Sequence, residues 1–238
     1  MKRTTLLLSS ALALLPFAPA FAQAGKDVTI VLGEDVDLME PCMATRSNIG
    51  RIIMENISET LTQYDVKSGQ GVTPRLAESW EDMGNGTWRF HLRKDVKFSD
   101  GSAFDANDVK ASYERATSDK LTCETPRYFG DTKLSFTAVD DATLDIIADP
   151  AQPILPLLMS LVTIVPSETP VEFVRDPIGT GPYKLASWEP GQSIVLERRA
   201  DYWGSAPAVD KATYVFRTDP AVAAIRMKGS VVRVTSRK

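Results

Sequence analysis

VKFSDGSAFDANDVKAS, residues 96–112, decides how this chain is read. Asp100-Gly101 is a turn pair, so DVKFSDGSAF reads as an extended segment broken at its middle. Asp105 stands where a helix N-cap belongs, and Asp108 three residues later can complete a capping-box variant. Phe104 before the cap and Val109 after it match a hydrophobic staple. Val109, Tyr113 and Ala116 continue the apolar stripe of a helix. A strand stops, turns and restarts directly as a helix. Capping and the positive helix start account for both acids. Paired carboxylates can also do acid–base chemistry, but here the helix start uses both, so the stretch reads as a frame for binding and not as a catalytic loop.

Working outward, TWRFHLR (87–93) alternates Trp88, Phe90 and Leu92 with Arg89, His91 and Arg93, the pattern of a strand with one buried and one wet face. His91, the sole histidine, falls on the wet face. GNGT (84–87) is a hairpin signal, because Asn85-Gly86 tolerates the positive φ of a tight turn. LTQYD and GVTPRLAESWE are strands flanking a Ser-Gly turn. LSFTAVDDATLDIIA (134–148) is two strands around an Asp-Asp turn. PILPLLMSLVTIVP is a short apolar helix and then a buried strand. GTGPYKLASWEPGQSIVLERRADYW is a hairpin turning at Pro190-Gly191, ATYVFR (212–217) a strand, and PAVAAIRMK the start of a last helix. Upstream, DVTIVLG (27–33) is a short buried strand, followed by the polar loop EDVDLMEPCMATRS. NIGRIIMENISETL carries Ile49, Ile52, Ile53, Ile57 and Leu61 at helical spacing, with Ser47 or Asn48 as cap. Intermixed helices and strands make the class α/β or α+β.

The first residues, MKRTTLLLSSALALLPFAPAFAQA, have a positive start at Lys2 and Arg3, an apolar run from Leu6 to Leu15, and A-x-A spacings at Ala20/Ala22 and Ala22/Ala24. That is the layout of a cleaved export signal over 1–24. The apolar run is too short to serve as a membrane anchor and is interrupted by Pro16 and Pro19. Losing Lys2 and Arg3 makes the formal charge of −4 more negative still, which argues against nucleic acid as a partner. Cys42 and Cys123 are the two cysteines. In an oxidising compartment they read first as one disulfide, the alternative being two separately buried thiols. A metal site needs more ligands than these and one distant histidine supply, and neither metal nor cofactor is expected.

No G-x-S-x-G or H-E-x-x-H occurs, and GTGPYK places a Pro where a phosphate cradle needs an N–H donor. Two segments, LAESWEDMGNGTWRFHLRKDVKFSDGSAFDANDVKASYERA (76–116) and PIGTGPYKLASWEPGQSIVLERRADYWG (177–204), together resemble the family 5 extracellular solute-binding proteins, the periplasmic receptors of peptide, dipeptide and nickel ABC importers. VDKATYVFRTDPAVAAIRMKG (209–229) is similar to the strand–helix pair that follows them. The resemblance implies a class II-like periplasmic binding fold, two lobes closing on a ligand like a clamshell with an additional β-rich subdomain. On that reading residues 25–55 and 175–228 form a discontinuous first-lobe core, 56–174 an inserted β-rich subdomain, and 229–238 a tail foreign to the family. MEPCMATRS and KLTCETPRYFG look like a subgroup with one cysteine in each, which supports a Cys42–Cys123 pair.

The resemblance also implies that the loop after the first strand lines the cleft, making Thr45, Arg46 and Ser47 the candidate substrate-binding residues. Arg46 could meet a carboxylate through its forked donors, although an exposed Arg at a helix start is the plainer reading, and Ser47 doubles as a cap. Trp80, Trp88, Trp188 and Trp203 could stack on a ligand, but such rings more often fill sheet cores. Gly179, Gly181 and Pro182 read as backbone geometry. Family members are about twice as long as this chain. From Ala221 onward the sequence has Arg226, Lys228, Arg233, Arg237 and Lys238 and no acid. The expectation is a truncated or frame-shifted product that lacks the second lobe, exposes an apolar first-lobe surface and binds ligand weakly or not at all. The implied partners are a peptide or similar small solute and an inner-membrane permease, with the chain a non-enzymatic monomer in the periplasm. The rivals are an exported hydrolase and a structural or interaction protein.

Overall fold

The structure is a computed structural model that describes residues 26–44, 50, 52–66, 68–216 and 231–232. The expected leader, Ser47, Asn48, Ile49 and the expected helix over 220–228 lie outside the described residues. In chain order the elements are β1 (Asp27–Leu32), a 3₁₀ turn (Pro41–Met43), a wide helical turn (Ile53–Ile57), β2 (Thr62–Asp65), β3 (Gly71–Pro74), β4 (Ala77–Gly84) and β5 (Thr87–Leu92). There follow α1 (Ala106–Ala116), α2 (Thr125–Phe129), β6 (Lys133–Asp140), β7 (Thr143–Asp149), α3 (Leu155–Leu158), β8 (Tyr183–Glu189), β9 (Ser193–Arg198), β10 (Lys211–Phe216) and β11 (Val231–Val232).

Among the described residues the strands form three sheets. One is five-stranded, in the order β11-β1-β10-β9-β8, with β1 parallel to both β10 and β11 and the other pairs antiparallel. One is an antiparallel four-stranded sheet, β4-β5-β7-β6, and β2 and β3 make a two-stranded ribbon. The fold is mixed α/β, as the sequence predicts.

The two larger sheets each carry a core. Phe90 and Leu92 of β5 point inward beside Leu144 and Ile146 of β7 and meet Val109 and Tyr113 of α1, with Phe98, Phe104 and Met159 filling the space between. The second core joins Leu32, Ile194, Leu196, Tyr214 and Phe216 to Met39, Ile52, Ile53 and Ile57. The alternation read in TWRFHLR holds: Phe90 is fully buried, whereas Arg89 reaches across to Asp145 and the His91 side chain is 45% exposed, 3.5 Å from Glu81. Asn85 (φ 52) and Gly86 (φ 77) make the expected tight turn.

The predicted frame at 96–112 forms as read. Phe98 N–H donates to the Ser102 carbonyl across a turn in which Gly101 has φ 93. The Asp105 side chain accepts from Asn107 N–H at 2.6 Å, and Asp108 accepts from Asp105 N–H at 2.8 Å, closing the capping box. Phe104 and Val109 are both buried in the first core.

The expected helix over 48–61 is shorter in the structure. Its described part ends at Ile57, and Ser58 is already extended (φ −109, ψ 147). The end carbonyl of Ile57 accepts from Gly181 N–H at 2.8 Å, so a distant loop occupies the position of a further turn. Leu61, which fits the stripe by spacing, instead packs in the first core. The strand expected near 161–166 is a buried segment with a single bridge, Thr60 to Thr163.

Candidate functional site

β1 and β10 run in the same direction in register from Asp27–Lys211 to Leu32–Phe216. In open α/β sheets ligands sit in the crevice outside the carboxyl ends of parallel strands. The loop leaving β1 at that edge, 33–44, is held from several sides. Val36 and Met39 are buried in the second core. Glu40 is fully buried, and its carboxylate takes a forked pair of bonds from Arg115 of α1, 2.6 Å from Nη1 and 3.0 Å from Nη2. Cys42 N–H and Val174 N–H also donate to it, at 3.1 and 3.0 Å. Arg115 donates its remaining bonds to the Pro170 and Glu172 carbonyls. Thr163 Oγ1 donates to the Pro41 carbonyl at 2.7 Å. Cys42 is disulfide-bonded to Cys123, which lies in the segment after α1. The base of the loop is therefore built as rigid scaffold, the usual arrangement where a loop carries recognition. Thr45, Arg46 and Ser47, which follow it, lie outside the described residues.

The four tryptophans belong to the packed interior edges of the sheets. Trp80 lies 6.3 Å from Phe90, and Trp88 Nε1 donates to the Gln152 carbonyl. Trp203 Nε1 donates to Glu59 at 2.7 Å, and the Arg175 guanidinium lies over Trp188 at 4.8 Å. Gly179 and Gly181 are geometric: a Cβ on either would collide with the Ile57 carbonyl. Among the described residues no three His, Cys, Asp or Glu side chains converge as a metal cage would require.

Besides the Glu40–Arg115 pair, two further buried charged centres among the described residues escape local sequence reading. Arg199, just after β9, is 5% exposed and donates to the carbonyls of Lys97, Phe98, Gly179 and Gly181 and to Asp201. That bond from Arg199 holds the Asp201 carboxyl below the usual range. Glu59 accepts from Arg75, Tyr202 and Trp203, and burial followed by the Glu59 charge pushes the Tyr202 hydroxyl well above its ordinary value. Their partners lie up to 144 residues away, so no spacing rule could have found them. Chemically these centres fix backbone and side chains against one another, and every donor of Arg199 is directed at protein.

The signature of the bacterial extracellular solute-binding proteins, family 5 (middle), matches residues 71–236. The chain belongs to this family. It is similar to the nickel-binding periplasmic protein of Escherichia coli K12, 29% identical over 215 residues, covering 86% of this chain and 40% of that protein. It is equally similar to the periplasmic oligopeptide-binding protein OppA of the same organism, 29% identical over 244 residues, covering 88% and 43%. The fold is that of the ABC transporter-associated periplasmic binding protein DppA of Helicobacter pylori, solved with the peptide STSA, at TM-score 0.72 and 24% identity over 84% of this chain and 44% of that one. This family 5 chain spans about two fifths of the length of the curated relatives it matches. Within it Arg199 ties together the two segments on which the resemblance rests, binding carbonyls at 97–98 and at 179 and 181.

Proposed function

We propose that this chain is the solute-binding part of an ABC importer, that it holds a peptide or similar small solute without transforming it, and that it works in the periplasm with an inner-membrane permease. Family membership over residues 71–236 carries the reading. Both cysteines of this chain are tied in one bond and its single histidine sits on an exposed strand face, so this part of the protein offers few soft or imidazole donors for nickel, and peptide is the cargo we favour. The second core, with the β1–β10 edge, serves as the first lobe (25–55 and 175–228). The first core serves as the inserted β-rich subdomain (56–174). Thr45, Arg46 and Ser47 line the cleft on the rigid base described above.

A clamshell site draws its affinity from enclosure on both sides, which buries apolar area and strengthens polar contacts. This chain covers about two fifths of the length of the matched relatives, and its described residues contribute one wall of such a site. Calorimetric titration with a mixed set of di- and oligopeptides, and separately with nickel, tests both parts. Saturable heat with peptides and none with nickel supports the reading. Nickel binding without peptide binding contradicts the cargo, and binding of neither contradicts the solute-binding role.

A further inference from the structure

The strongest unassigned feature is the double tie between the loop base 33–44 and the region of α1. One tie is ionic: Glu40, fully buried, against Arg115. The other is covalent and lies two residues further on, from Cys42 to Cys123 across 81 residues of sequence. The ionic tie joins the loop base to α1, most of which packs in the first core, whereas the disulfide lies within the second core, where Cys42 and Cys123 both pack. The segment 170–174 closes over the ionic tie through the Pro170 and Glu172 carbonyls and Val174 N–H.

We propose that these two ties form one redox-conditional lock that holds the loop base on α1 and the segment after it. With the disulfide formed, the loop base is fixed on α1. With it reduced, the loop base, the 117–124 segment and the 170–174 cover open together while both sheets stay folded. A buried ion pair contributes little net stabilisation of its own, because desolvation offsets most of the attraction. Glu40 and Arg115 therefore hold their geometry only while something else keeps them dry, and the covalent bond does so by removing the open arrangements. Each of the two larger sheets, in contrast, is held by its own ladder of strand pairs, to which neither cysteine belongs. Formation of the lock joins two thiols and releases two protons and two electrons, the electrons passing to a disulfide oxidant by thiol–disulfide exchange. The reverse uses a dithiol, which leaves as its cyclic disulfide. Cys123 is only partly buried, so a small thiol can reach the bond. The lock is independent of which solute is carried.

Hydrogen exchange read by mass spectrometry on the whole chain, oxidised and in dithiothreitol, tests it. Exchange within 33–44, 117–124 and 167–176 should accelerate about tenfold or more on reduction, while β5, β7, β9 and β10 keep their protection. A Cys42→Ser/Cys123→Ser double variant should match the reduced pattern without reductant. Unchanged exchange at all three segments would overturn the proposal, since the ion pair would then suffice. Loss of protection throughout both sheets would overturn it as well, since the bond would then be a global staple.

Discussion

Arg199 shows what a single residue does here. Its guanidinium has five donors in a fixed fork, and they satisfy four backbone carbonyls from two separate loops, with Asp201 beside them. Replacing it removes one donor from each of these carbonyls, although Gly179 and Phe98 keep the Ser99 and Gly101 N–H groups. Arg199→Ala should therefore cost about 3–5 kcal/mol, read from urea unfolding, and Arg199→Lys should recover only part of that, because an ammonium cannot reproduce the fork. Glu40 makes the complementary case. Glu40→Gln keeps the shape but strands the Arg115 charge in the interior, a loss of about 3–5 kcal/mol. The double variant Glu40→Gln/Arg115→Met should be more stable than Glu40→Gln alone, because it removes the stranded charge.

At the scale of elements, the start of α1 sets a pH dependence. Burial raises the Asp108 carboxyl above its ordinary range, against the pull of the Asp105 and Ser167 N–H groups that it accepts. The folded state therefore holds the proton more tightly than the unfolded one. The contribution is complete below the unfolded carboxylate value of about 3.9 and is lost as pH rises through the folded one. The stability of the parent relative to Asp108→Asn should fall as pH rises through the acid range, measured by denaturant titration at several pH values. Asp145, held low by its bond from Arg89, acts in the opposite sense, its contribution being lost as pH falls. The β4–β5 hairpin depends on Gly86, where φ is +77 and a Cβ would lie 2.6 Å from the Ala148 carbonyl oxygen. Gly86→Ala should cost about 1–3 kcal/mol, read as a lower denaturant midpoint at unchanged slope.

At the scale of the whole molecule, the two cores are tied together at several points, among them Arg199 between the 96–98 and 179–181 loops, the Glu40–Arg115 pair and the Thr163–Pro41 bond. Cooperative unfolding requires that neither core melt without breaking them. Calorimetry of the oxidised chain should show one transition, and Arg199→Ala should broaden or split it. A single sharp transition in that variant would mean that the cores communicate by another route.

How much of this was legible depended on the range over which each feature is fixed. The turn at Asp100-Gly101, the capping box of Asp105 and Asp108, the alternation of TWRFHLR and the Asn85-Gly86 hairpin were all readable. Each is set by conformational preferences and hydrogen bonds within a few residues. The paired motifs at 76–116 and 177–204 pointed to the family for the same reason, since a local pattern survives in sequence. The tertiary structure decided the rest. It ended the helical run at Ile57, moved Leu61 into the other core, and chose the long-range partners of Arg199, Glu40 and Glu59. A buried charge is tolerated only where distant backbone or opposite charge converges on it, and that convergence exists only once the chain has folded.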